Sequence, residues 1–275
     1  VSTERAAKNA RFNIVWFCSP PPTPFASWRG FAVGSHRAEH VVRANRGGRG
    51  GGARAQAIEL NREIIASRSA GEILAIVEDR GESFDVVNVA TAVNKLCKVA
   101  RARDNLRRDP RYKRLLELVQ KNANEMNPQG IANVLNALGK LDAAAAAMSQ
   151  EGWNRLAEAA EWEAREMKPQ DIANVLNALG KLDAAASAVS QEGWKQLAEA
   201  AEWEAREMKP QNIANVLNAL SKLDAAVAAM SQEGWKQLAE AAEREAREMN
   251  PQNIANVLNA LSKLDAAVAA MSQEG

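Results

Sequence analysis

Pro128, Pro169, Pro210 and Pro251 stand 41 residues apart, and each opens a near-copy of Pro-Gln-x-Ile-Ala-Asn-Val-Leu-Asn-Ala-Leu-x-Lys-Leu. Trp153, Trp194 and Trp235 keep the same period in the other half of the unit. A period between about 20 and 50 residues marks an array in which each unit buries its apolar face only by stacking on its neighbours. The expected fold is therefore all-α, an α-solenoid of stacked helical hairpins, and function belongs to whatever repeats on its surface.

Within one copy the first helix is expected to run from Gln191 to Met208, with Ser190 as N-cap and Pro210 barring continuation. Trp194, Leu197, Ala198, Ala201, Ala205 and Met208 share its apolar face. The second helix starts at Pro210, a favoured first-turn residue, and is expected to bury Ile213, Val216, Leu217, Leu220 and Leu223. The Ala-rich tract from Asp224 to Met230 either extends that helix or forms a short third one capped by Asp224. Upstream, Val89–Lys98 aligns with Ile131–Lys140 at an offset of 42, so residues 70–80 and 85–99 read as a diverged hairpin. Residues 111–126 align with 152–167, Tyr112 taking the place of Trp153. The chain thus divides into a basic Arg/Gly/Pro-rich tail over 1–54, expected to be disordered, a degenerate helical repeat over 55–109, and tandem repeats over 110–275 with the last cut short. Beginning at Val1 and ending one residue before the next Trp falls due, it reads as a fragment.

The net charge of +1 hides an asymmetry: residues 1–120 carry 21 basic and 12 acidic groups, residues 121–275 carry 14 and 22. A basic amino-terminal arm suits an anionic partner or an organellar address. Cys18 and Cys97 cannot build a disulfide framework. No apolar run approaches the ~20 residues that span a bilayer, so no membrane partner is expected.

On the second helix, Gln211, Asn215, Asn218 and Lys222 fall at i, i+4, i+7 and i+11, opposite the apolar stripe. The same four types recur as Gln129, Asn133, Asn136 and Lys140; as Gln170, Asn174, Asn177 and Lys181; and as Gln252, Asn256, Asn259 and Lys263. Asn is a poor helix former, so two per helix point to a task beyond solvation: reading base edges or a peptide backbone, with Lys for phosphate or carboxylate. The structural alternative is that these amides satisfy backbone groups between adjacent helices. The diverged hairpin keeps Asn94 and Lys98 but has Thr91 where the copies have Asn.

The position after Gln varies, as Gly130, Asp171, Asn212 and Asn253, with Asn88 in the diverged hairpin. Asp171, Asn212 and Asn253 are accordingly candidate selectivity residues at exposed helix starts, with drift as the competing account. Arg101, Arg103, Arg107, Arg108 and Arg111, followed by Lys113 and Arg114, form a candidate phosphate-binding cluster; a solvated loop is its bland counterpart. Trp162 and Trp203 lie on the Glu-rich side of the first helix and are expected to pack in the groove between repeats. Glu161 and Arg165 are spaced for an i,i+4 pair. His36-Arg-Ala-Glu-His40 matches the order of an inverted zinc-peptidase motif, but between Pro-rich and Gly-rich stretches it has no helical scaffold. No catalytic residue, metal site, cofactor or small-molecule substrate is expected.

The phrase Asn250-Pro-Gln-Asn-Ile-Ala-Asn-Val-Leu-Asn-Ala-Leu-Ser-Lys-Leu264, together with Phe84–Ala92, resembles the octotricopeptide-type helical repeats of algal organellar RNA-binding proteins, including chloroplast translation factors. It is also similar to the repeats of plant-pathogen type III effectors named for Ser-Lys-Trp-Pro, with Ser262-Lys-Leu-Asp265 in that place. The first resemblance implies a scaffold for single-stranded RNA in a chloroplast or mitochondrion, acting in RNA processing, stabilisation or translation. The alternative is an armadillo-like solenoid gripping an extended peptide or protein, in the cytoplasm or secreted into a host cell.

Overall fold

The computed structural model describes residues 50–101 and 104–271. The tail expected over 1–54 lies outside the described residues as far as position 49, together with His36–His40 and Cys18; Arg103 lies outside them as well. The chain falls into two compact units, 1–58 and 59–275, and the repeats belong to the second. Helix is found from Gly50, in α1 (Gly50–Ala66), rather than from near Ala55. Glycine costs about 0.5–1 kcal/mol against Ala in a helix interior, so this first turn forms against local propensity.

The array consists of hairpins. The diverged one is α2 (Ala70–Arg80) and α3 (Val86–Val99), followed by α4 (Pro110–Asn122) and α5 (Pro128–Leu141). Then come α6 (Gln150–Glu163), α7 (Pro169–Leu179) and α8 (Asp183–Ala186), and α9 (Gln191–Glu204), α10 (Pro210–Leu220) and α11 (Asp224–Ala229). The series closes with α12 (Gln232–Glu245) and α13 (Pro251–Met271). The described residues contain no strand. First helices α2, α4, α6, α9 and α12 stack in one layer, and second helices α3, α5, α7, α10 and α13 in another.

The expected apolar stripes form the core. Trp194, Leu197, Ala198, Ala201, Ala205 and Met208 are buried, as are Ile213, Val216, Leu217, Leu220 and Leu223. The first helix ends earlier than expected, at Glu204, and a 3-10 turn over Ala205–Glu207 carries the chain to Met208. Tyr112 fills the Trp position of its repeat completely buried, its hydroxyl without a hydrogen-bond partner.

In the first three copies the Ala-rich tract takes three forms: a 3-10 stretch over Asp142–Ala147, the single turn α8, and α11. The turn α8 packs on α6, the first helix of its own copy, and α11 likewise packs on α9. Asp224 is the first residue of α11, not its cap; the capping position is Leu223, which makes no side-chain capping bond. Residues 210–230 and 251–271 are the same string, yet the first breaks after Leu220 and the second is one continuous helix, α13. The break is therefore not set by local propensity; where it occurs, Ala226, Val227 and Met230 are buried and α11 packs on α9.

Successive first helices are joined by a cap that crosses between repeats. Ser190 caps α9 by accepting from the Gly193 N–H at 2.9 Å. Its own N–H and hydroxyl donate to the Glu161 carboxylate of α6 at 2.7 and 2.8 Å. Glu202 accepts from the Ser231 N–H at 2.7 Å, and Gln120 from the Ser149 hydroxyl at 2.8 Å, both 29 residues apart in the same relation. An anion at a helix N-terminus meets both free N–H groups and the positive end of the helix dipole. The expected Glu161–Arg165 pair is replaced by this arrangement, and Arg165 turns instead to Glu199 of α9 at 3.7 Å.

Gly193 makes room for that carboxylate: a Cβ there would fall 2.1 Å from Glu161 Cδ. Gly193→Ala should raise stability by up to about 1 kcal/mol through helix propensity in a Glu161→Ala background. In the native background the displaced carboxylate loses its bonds to Ser190, a cap worth about 1 kcal/mol, and the gain should vanish. Chemical denaturation of the four proteins of this double-mutant cycle reads the coupling, and additive effects would show that the cross-repeat cap is energetically idle.

Candidate functional site

Stacked second helices carry the polar stripe across the array. Gln129, Gln170, Gln211 and Gln252 are exposed near the helix starts; Lys140, Lys181, Lys222 and Lys263 are exposed at the other end. Between them Asn133, Asn136, Asn174, Asn177, Asn215 and Asn218 are half-buried, as is Asn256, whereas Asn259 on α13 is exposed. Among the described residues, the side-chain amides of those first six Asn make no hydrogen bond within the protein. They do not serve as interhelical braces, and their donors and acceptors are left to solvent or a ligand. On α13, Gln252 donates to Asn256 at 3.2 Å.

The lysines form a row. Burial first, and then the charges of Lys222 and Lys140, push the Lys181 ammonium below the usual lysine range, so lysines from three successive repeats feel one another. Cys97, a free and half-buried thiol, lies beside the start of this row: burial raises it, and the charges of Lys140 and Lys98 work against that. From helix start to lysine, the second helices of the four copies contain a single carboxylate, Asp171, and it is buried. The face is therefore neutral across its Asn rows; at its lysine edge Asp183 and Asp224 are exposed two residues beyond Lys181 and Lys222.

Between α3 and α5 the face opens into a groove of about 560 Å³, lined among others by Val87, Thr91, Asn94, Lys98, Gln129 and Asn133. The diverged hairpin has Val87 and Thr91 where the copies have Gln and Asn, and these shorter side chains leave the space.

The residue after Gln does not stand at an exposed helix start. Asn88, Asp171 and Asn253 are buried and Asn212 is half-buried. Each is the third residue of its helix, a capping position. Asn88 accepts from the Asp85 N–H at 3.3 Å while Asp85 accepts from the Asn88 N–H at 2.8 Å. Asp171 accepts from the Lys168 N–H at 3.3 Å. Where the preceding cap is Asn127, which accepts from the Gly130 N–H at 2.8 Å, the third position is Gly. Asn250 accepts the same bond from the Asn253 N–H at 2.8 Å, so one kind of cap goes with Gly in one copy and Asn in another.

The basic cluster is also thinner than its sequence. Arg111 is bound to Asp109 at 2.7 Å and holds that carboxyl below its usual range. Arg114 ties α4 to Glu82 at 3.0 Å. Arg101, Arg107, Arg108 and Lys113 remain exposed. The turn Leu106–Arg108 packs on the stretch Asp142–Ala147 just beyond Lys140, which puts Arg107 and Arg108 on an element at the lysine end of the face.

Trp162 and Trp203, expected between repeats, are 67% and 82% exposed on the first-helix layer. Arg244, their counterpart in α12, pairs with Glu245 at 3.1 Å.

A family model described as a protein of unknown function, DUF1601, matches residues 113–135, 154–176, 203–217 and 235–258. The matched segments end on Leu135, Leu176, Leu217 and Leu258, 41 residues apart, and each crosses from a first helix into the second helix after it. No curated protein matches the chain. Among the described residues, no helix is long and apolar enough to cross a membrane.

Burial pushes the Asp171 carboxyl up, against the Lys168 N–H bond and the Lys168 charge. A carboxyl raised on folding stabilises the fold only in its protonated form, present below the unfolded pKa and lost as pH rises through the folded one. Asp171→Asn, which installs the residue found at 212 and 253, should therefore raise the Tm at neutral pH. The gain should shrink as pH falls toward the ordinary carboxylate value and be gone below about 4, where the carboxyl is protonated in both states. Thermal melts across that range check it; a gain independent of pH would refute the assignment.

Proposed function

We propose that the polar face of the second-helix layer binds single-stranded RNA, with the Asn rows contacting bases and the lysine row contacting phosphates. One observation carries the reading: six half-buried Asn amides without protein partners lie in rows on neighbouring helices, beside a line of exposed lysines. An amide offers paired donors and acceptors that match base edges, while the ammonium gives phosphate contacts without sequence preference. Neighbouring helices about 8–10 Å apart present the rows at a spacing that an extended single strand can follow. The resemblance to octotricopeptide-type repeats and the Arg-rich composition of residues 1–54 favour a role in organellar RNA processing, stabilisation or translation.

A second reading, an extended peptide gripped by the same amides, is favoured by the groove between α3 and α5. Its wall includes Ile65, Val86 and Val87, apolar groups suited to an aliphatic side chain.

RNA selection with the purified chain at two salt concentrations should enrich a sequence. Asn177→Ala, Lys181→Ala, Asn218→Ala and Lys222→Ala together should weaken binding of the enriched RNA by about tenfold or more. Each lysine removed should lower the slope of log K against log salt by about 0.7. Absence of enrichment, or unchanged affinity in the fourfold variant, would remove RNA from consideration; tight binding of unstructured peptides instead would favour the second reading.

A further inference from the structure

The first-helix layer carries a surface that the RNA reading does not use. Trp162 on α6 and Trp203 on α9 are 67% and 82% exposed, on neighbouring helices that pack directly on each other and at equivalent positions of the repeat. Large indoles so exposed are unusual on a soluble surface unless they meet a partner. Each is bracketed by exposed carboxylates four residues before and after: Glu158 and Glu166 around Trp162, Glu199 and Glu207 around Trp203.

We propose that this ridge docks a protein segment carrying arginine or lysine side chains, which stack on the two indoles and pair with the flanking carboxylates. An indole face attracts a cation through its quadrupole, and a neighbouring carboxylate adds a directed charge-assisted bond. The chain shows the chemistry in small: Arg165, at the end of the α6 repeat, reaches across to Glu199 of α9 at 3.7 Å. Both partners of that pair are largely in solvent, at 77% and 47%, so an incoming cation displaces it at little cost. The face holds more negative charge than it neutralises. Burial first, and then the charge of Glu207, already push the Glu204 carboxyl above its usual range.

RNA is disfavoured here although bases also stack on Trp, because the bracketing carboxylates repel phosphate. The geometry also sets a spacing. Stacked helices lie about 8–10 Å apart and an extended chain advances about 3.3 Å per residue, so cations three residues apart reach successive tryptophans. In α12 the equivalent position is Arg244, which limits the ridge to two repeats.

The test uses the full chain and a labelled glycine peptide with arginine at every third position, followed by fluorescence anisotropy at low ionic strength. Binding is expected, and it should fall about tenfold or more in Trp162→Ala/Trp203→Ala. Both side chains are exposed, so the helical circular-dichroism spectrum should not change. Glu199→Gln/Glu207→Gln should weaken binding and flatten its salt dependence, whereas Lys181→Ala/Lys222→Ala should leave it intact. The proposal is overturned if the native chain does not bind the peptide. It also fails if the folded double-Trp variant binds as tightly as the native chain, or if the glutamine variant leaves affinity and salt dependence unchanged. Loss of binding in the lysine variant would overturn it too, by moving the peptide to the other face.

Discussion

The close approach of successive second helices is the contact on which the other features depend. A Cβ on Gly139 would sit 3.4 Å from Ala178 Cα, and one on Gly180 would sit 3.4 Å from Ala219 Cα. These are ordinary contact distances for an added methyl, so small residues bring the backbones near without leaving a gap. Ala137, Ala178, Ala219 and Ala260 are all buried at this seam. Larger residues there would spread the helices, and with them the Asn rows and the lysines whose charges meet across repeats. The spacing of the candidate site is thus an outcome of core packing.

The first-helix layer is held by different means. Between α6, α9 and α12, polar anchors run from one repeat to the next beside the buried apolar residues. Glu161 and Glu202 spend their charge on the N-termini of the next first helices. Such a contact is directional, whereas apolar burial is not, so it fixes the register of one hairpin on the next. An acidic helix surface that reads as solvated thus divides into carboxylates that join repeats and carboxylates that remain available.

The 41-residue period, the proline starts, the Ser190 cap and both apolar stripes were legible because each has a local signature of spacing or residue type. What was not legible depends on neighbours. The partner of Glu161 lies 29 residues away, where helical spacing offers no hint, so the nearer Arg165 drew the assignment. Asp171 looks like a variable polar residue at a helix start; its burial is set by the adjoining repeats. The Ala-rich tract is the clearest case, since one 21-residue string adopts a broken and an unbroken form in the same chain. No reading of that string alone can assign its conformation. The polar stripe stands between these cases: its periodicity placed it opposite the core, but only the structure shows that the amides of its first six Asn have no partners inside the protein.

Charge segregation then arises from the two kinds of helix. From helix start to lysine, the second helices of the four copies carry a single carboxylate, Asp171, and it is buried. α6 and α9 each carry four glutamates, of which one, Glu161 or Glu202, is consumed at the next repeat. A polyanion approaching the array therefore meets repulsion over the acidic helices α6 and α9 and a largely neutral surface with a row of lysines over the second-helix layer. A polycation meets attraction over those two helices. On the two proposed readings, chemically opposite ligands occupy different layers of one solenoid, and the indole ridge ends where Arg244 replaces Trp in α12. The pairing of an Asn–Lys row with an acidic first helix belongs to α6 and α9; α4, which precedes α5, carries Arg111, Lys113, Arg114 and Lys121 against Glu117 alone.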